Sequence, residues 1–271
     1  MKLFRKLFAE KILRFYEGTE AGIQLIKRLP LIGKHIKDDA FAEKSNGRTA
    51  VGVAAQVFVV LWEFIKKFLY VLLFMFVPYM IMAHFLPLIR LHQDTTIIYL
   101  FVMLSTICGS LANTTIFAMG DRDYLMIRIM LVSPYMNFLG KLIYKIITEF
   151  VFYFIILIIF KVPVLNSLML CFLTMFSRPI GEMFAIIAFD HFRGIYENRN
   201  VLNGTIMAVC VILAYGLPVL NRRISPTWIY AVHPFVIVVM FILGAGAMYY
   251  LWWYKYYRVI IREAMHNKRE F

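Results

Sequence analysis

FLYVLLFMFVPYMIMAHFLPLI, Phe68–Ile89, runs for 22 residues without an Asp, Glu, Lys or Arg. A helix of about 20 apolar residues crosses the hydrocarbon core of a bilayer, so this stretch reads as a membrane span. Five more have the same character: Thr95–Met119, Leu142–Phe160, Leu165–Phe189, Val201–Leu220 and Ile229–Tyr254. They explain a 271-residue composition that is 62% hydrophobic and 17% charged. Soluble domains carry about 25% charge, and a soluble fold leaves too much surface in water to hide this many apolar side chains. Ordinary soluble enzymes and disordered chains are excluded. The expected fold is all-α: a polytopic membrane protein with six transmembrane helices and the lipid bilayer as solvent.

Working outward from the first span, Val51–Ile65 is apolar except for Gln56 and Glu63, and charge follows at Lys66 and Lys67. Its length suits a helix lying at the interface that feeds the span. Met136–Lys145 extends the third helix into the interface, and that span carries Glu149 near its start. With six crossings, Lys and Arg divide unevenly. Thirteen precede Phe68, four lie in Asp121–Lys145, two in Arg193–Arg199 and five from Lys255 onward, against Arg90, Lys161, Arg222 and Arg223 on the other side. A 24-to-4 ratio places both termini in the cytoplasm by the positive-inside rule. The net charge of +13 then reflects loops touching anionic headgroups rather than a nucleic-acid partner.

Residues 1–48 read as a cytoplasmic or interfacial amphipathic segment. Leu3/Phe4, Leu7/Phe8, Ile12 and Phe15 recur every three to four residues, until Pro30, Gly33 and Asp38–Asp39 interrupt the pattern. This face suits either the membrane surface or the protein's own cytoplasmic ends. No unbroken apolar stretch of signal-peptide type follows the early charges. Residues 49–257 are expected to form the six-span membrane domain, with an interfacial helix over 49–67 and a helical loop over 120–134. Residues 258–271 form a cytoplasmic tail.

The chemistry-bearing patterns are sparse. No P-loop, HExxH or GxSxG occurs, so ATP hydrolysis, zinc proteolysis and serine chemistry have no motif here. Cys108, Cys171 and Cys210 lie in apolar runs without metal spacing, and His35, His84, His92, His191, His233 and His266 are scattered. No catalytic, cofactor or metal site is expected in the chain.

Three features stand out. In GDRDYLMIRIMLVSP, Gly120–Pro134, Asp121 suits a helix N-cap and Asp123 the positive end of the helix dipole. Leu125, Met126, Ile129 and Met130 fall on one helical face, Pro134 marks Ser133 as a stop, and Arg122, Asp123, Tyr124 and Arg128 offer polar contacts. The helix suits either a soluble partner or the headgroup layer. In SRPIGEMFAIIAFDHFR, Ser177–Arg193, Arg178 and Glu182 are four apart on one helix face and can pair, with Pro179 and Gly181 loosening the helix between them; this suits a structural intrahelical ion pair, or else a polar bend in a translocation path or at a subunit interface. Finally, Gly244–Ala247 with Ser105 and Gly109 suit close helix packing, and Trp252, Trp253, Tyr254, Tyr256 and Tyr257 an aromatic belt.

This layout, with NTTIFAMGDRDYLMIRIMLVSP (Asn113–Pro134) and SRPIGEMFAIIAFDHF (Ser177–Phe192), resembles the permease subunit of a type-2 ABC transporter, an exporter of the Gram-positive bacterial type. The resemblance implies a complex of two permease domains, identical or homologous, with two copies of an ATPase subunit that holds ATP and Mg. It implies that Asp121, Arg122, Asp123, Tyr124 and Arg128 form a coupling helix in a cleft of that ATPase. The substrate path would run between the permeases, in a bacterial cell membrane. Relatives often carry a re-entrant hairpin between spans five and six. Tyr215–Pro234 suits a short break of that kind, although Arg222 and Arg223 argue against deep re-entry. Two other readings remain: a stand-alone, ion-coupled secondary transporter using Glu149, Arg178 and Glu182, and an intramembrane enzyme using Glu149, Glu182, Asp190 and His191.

Overall fold

The computed structural model describes residues 46–117, 123, 127, 133–191, 199–221, 224–257 and 259–260. Segment 1–48 lies almost wholly outside the described residues, as does most of the tail 258–271. The chain divides into two compact units, Met1–Lys67 and Phe68–Phe271. No strand occurs among the described residues. Among the described residues, six helices are long and apolar enough to cross a membrane: α1 (Val57–Phe85), α2 (Gln93–Ala112), α3 (Pro134–Ile159), α4 (Val164–His191), α5 (Val201–Asn221) and α6 (Pro234–Trp253).

Several boundaries differ from the sequence reading. The helix that carries α1 begins at Asn46 and runs through the stretch assigned to the interface, because Glu63, Lys66 and Lys67 do not break it. Glu and Lys are good helix formers, and the Lys66 ammonium lies 5.6 Å from the Trp62 ring one turn back. α2 stops at Ala112 rather than Met119. α3 starts at Pro134, where the Ser133 hydroxyl accepts from Met136 N–H. Pro at the first helical position suits a start, since its missing N–H is one the helix would leave unpaired. α6 starts at Pro234 rather than Ile229. His233 caps it, and Pro226–Val232 forms a separate 3₁₀ turn.

α2 and α4 form the centre of the bundle. Within their apolar windows 72% and 61% of residues are buried, against 17–28% in the other four. α4 packs on α3, α6 and the end of α2. Two glycines allow these approaches. A Cβ on Gly181 would run into the Ser110 carbonyl carbon at 2.7 Å, and one on Gly244 would lie 2.9 Å from the Phe176 carbonyl oxygen. Gly181 therefore serves a helix crossing, and α4 continues through Pro179 to His191. Proline leaves a carbonyl one turn back without its N–H. Nearby, Ser177 Oγ donates to Thr174 O and Thr174 Oγ1 to Cys171 O, at 2.9 and 2.8 Å.

α3 and α4 are joined by a tight turn. Val162 N–H reaches Leu157 O, Lys161 N–H reaches Ile158 O, and Lys161 takes the left-handed conformation with φ 60°. This is the C-terminal motif in which the residue after the helix has positive φ.

A tight apolar cluster lies where α2, α4 and α6 end and α3 begins: Ile116, Phe117, Phe138, Leu142, Ala185, Ile186, Phe189, Leu251, Tyr257 and Ile260. Tyr257 and Ile260 are core residues, so Tyr257 leaves the expected aromatic belt, whereas Trp252, Trp253 and Tyr256 are exposed. The Tyr257 hydroxyl donates to Leu251 O at 2.5 Å. Burial above all, with Tyr135 and Tyr254 nearby, pushes its phenol pKa well up and keeps it a neutral donor.

Candidate functional site

The polar chemistry of the bundle concentrates where α2 ends. α3 carries Asn137, Lys141, Lys145 and Glu149 at intervals of four, a row of the kind that runs obliquely along a helix surface. Asn137 Nδ2 donates to Asp123 Oδ1 at 2.8 Å, and Lys141 Nζ donates to Asp123 Oδ2 at 2.5 Å. Lys145 Nζ donates to the backbone carbonyl of Asn113. One helix face thus grips the α2–α3 connection at its start and again at Asp123.

The fourth member of the row meets α4. Glu149 receives both prongs of the Arg178 guanidinium, Nε to Oε2 at 2.6 Å and Nη2 to Oε1 at 2.7 Å. A planar guanidinium matches a carboxylate in this forked geometry, which suits Arg to buried pairing. The third nitrogen, Nη1, donates to Gly109 O of α2, and a Cβ on Gly109 would lie 3.1 Å from Nη2. Both ions are buried, with 4% and 5% of their surface exposed.

Glu182 does not pair with Arg178, contrary to the intrahelical ion pair expected from spacing. It accepts instead from the backbone N–H groups of Thr115 and Ile116, the latter at 3.0 Å. In a continuing helix those N–H groups would donate to carbonyls four residues back. The carboxylate takes them instead, and this accounts for the early end of α2. A charge at membrane depth is expensive unless paired or bonded, and all three ions here meet that condition. Arg178 and Glu182, one turn apart on α4, hold the last turn of α2 and the first residues after it from the side.

The predicted coupling residues divide. Asp121, Arg122, Tyr124 and Arg128 lie outside the described residues. Asp123 is described, and at 3% exposure it is a buried tether rather than an exposed contact. Sequence reasoning missed Asn137, Lys141, Lys145 and the partnership of Glu149. Their common signal was the four-residue interval of polar side chains on an apolar helix.

The residues of an intramembrane enzyme do not converge. Glu149 and Glu182 are held as above. Asp190 Oδ1 accepts from the Tyr254 hydroxyl at 2.9 Å, and His191 Nδ1 lies 2.9 Å from the carbonyl of Ile187 on its own helix. Asp190 follows Glu182 by eight residues, about 12 Å along an α-helix. Among the described residues no three His, Cys, Asp or Glu side chains are grouped as metal ligands. Comparison with family models, with curated proteins and with solved structures gives no match to this chain.

Proposed function

We propose that the chain is the membrane-spanning permease subunit of an ABC exporter, with ATP and Mg held by a separate ATPase subunit. The observation that carries this reading is the double grip on the α2–α3 connection. α3 holds Asn113 and Asp123, while α4 holds Gly109, Thr115 and Ile116. A force applied to the connection would therefore reach α2, α3 and α4 together, which is what a transporter driven from outside its own chain requires. The apolar cluster beneath the connection supplies a stiff base, because close-packed interiors transmit strain. In this reading the connection faces the cytoplasm of a bacterial cell with both termini, two ATPase copies engage two permeases, and the substrate path lies between the permeases. An ion-coupled carrier is less well supported. It needs an ionisable group that exchanges partners, and Glu149, Arg178 and Glu182 are each fully engaged.

The test is extraction of the full chain from its native membrane in mild detergent. An ATP-binding protein should co-elute, and its ATPase activity should depend on the permease. Charge reversal at Arg122 and Arg128 should leave the chain in the membrane and uncouple hydrolysis from transport. Transport by the purified chain alone in liposomes would refute the proposal.

A further inference from the structure

Three of the six helices carry π-helical segments: Leu72–Phe76 in α1, Val102–Cys108 in α2 and Ile212–Gly216 in α5. Such insertions are rare and recur at functional sites. Here tyrosine hydroxyls connect them. Tyr215, inside the α5 segment, donates to Phe74 O inside the α1 segment at 2.5 Å. Tyr99, three residues before the α2 segment, donates to Leu213 O inside the α5 segment at 2.6 Å. The Tyr99 ring is held edge-on by Trp228 of the 3₁₀ turn, with centroids 4.8 Å apart. Cys108 of α2 and Cys210 of α5 are neighbours across the same seam.

α5 is otherwise lightly held, with 17% of its apolar window buried. Lipid tails are as apolar as leucine, so moving an apolar helix face from protein to lipid costs little. Polar bonds between helices then carry a large share of what keeps α5 in place. A tyrosine–carbonyl bond breaks by rotation of one side chain, and a π segment absorbs a change of register without loss of the whole backbone ladder.

We propose that Tyr99 and Tyr215 are latches on a hinge formed by the π segments of α1, α2 and α5, at which α5 parts from its two neighbours. The seam with both tyrosine bonds made is the closed state. The open state exposes the facing surfaces of α2 and α5, uncovering the buried Cys210 and widening access to the half-buried Cys108. This motion belongs to the bundle itself and does not depend on what drives it.

The native cysteines supply the test. Full-length protein in lipid nanodiscs is treated with N-ethylmaleimide, and labelling at Cys108, Cys171 and Cys210 is followed by mass spectrometry. Wild type is compared with Tyr99→Phe, Tyr215→Phe and the double variant. A hydrogen bond between membrane helices is worth about a threefold change in population, so each single variant should label about threefold faster at Cys108 and Cys210, and the double close to tenfold. Cys171, fully buried on α4, should not change. Unchanged labelling at Cys108 and Cys210 in the double variant would overturn the latch. An equal rise at all three cysteines would also overturn it, because the bundle would then be loosening as a whole.

Discussion

Replacing Glu149 by Gln removes one charge and almost no volume, and leaves the Arg178 guanidinium in a site where it is 4% exposed. Arginine keeps its proton in proteins, so the charge stays. Breaking a buried ion pair by removing one partner costs about 3–5 kcal/mol, and an unpaired charge at the centre of a spanning helix costs about 2.5–3.5 kcal/mol on insertion scales. The introduced amide keeps one acceptor oxygen, and Gly109 O remains bonded to Nη1, which places the expected loss near the lower end, about 3 kcal/mol. That is roughly a hundredfold change in the folded-to-unfolded ratio. Adding Arg178→Met removes the stranded charge, so the double variant should regain about 2 kcal/mol of that loss. The assay is SDS-driven unfolding of the full chain in mixed micelles, followed by tryptophan fluorescence. The ordering is the sharp part: wild type, then the double variant, then Glu149→Gln alone. A double variant less stable than Glu149→Gln would refute the view that an uncompensated charge, rather than lost packing, dominates this site.

Other positions give independent checks. Gly181→Ala places a methyl group into the Ser110 backbone and should cost about 1–3 kcal/mol by forced separation of α2 and α4, whereas Gly204→Ala, inside α5 with nothing within 4 Å, should stabilise by up to about 1 kcal/mol in the same unfolding assay. Lys161→Gly relieves a left-handed residue at the α3–α4 turn and should stabilise by about 0.5–1 kcal/mol; a loss of stability would show that the lysine side chain matters more than the backbone. Asp123→Ala frees Asn137 and Lys141 and should cost about 1–3 kcal/mol while making 118–132 markedly more sensitive to trypsin; unchanged cleavage would remove Asp123 as a tether.

The set of helices long and apolar enough to span is legible in the sequence because bilayer thickness sets one length for any such helix, and runs such as Phe68–Ile89 satisfy it without reference to any neighbour. Helix ends are less legible where a distant side chain decides them. Nothing in Leu111–Met119 announces that Glu182, 66 and 67 positions on from Ile116 and Thr115, will take two backbone N–H groups. Spacing assigns Arg178 to Glu182 because four residues is the nearest option along one helix. The choice of Glu149 depends on how α3 lies against α4, which one-dimensional spacing does not contain. Glu149 is visible as a polar residue in an apolar span. Its continuity with Asn137, Lys141 and Lys145 is present in the sequence and is the signal that would have found the site. Tyr257 shows the reverse error: a position beside exposed aromatics looks like an anchor and is core.

The turn at Lys161 bears on how the chain enters its membrane. Glu149 and Arg178 sit on the two arms of one contiguous hairpin, so they can meet as soon as that hairpin forms. The guanidinium then enters the oily layer already neutralised by its own neighbour, and the remaining nitrogen is free to find Gly109 on a helix made earlier. The expected consequence is paired insertion, with the α3–α4 hairpin entering as a unit and α2 captured by it afterwards, so a chain cut at the Lys161 turn should insert poorly.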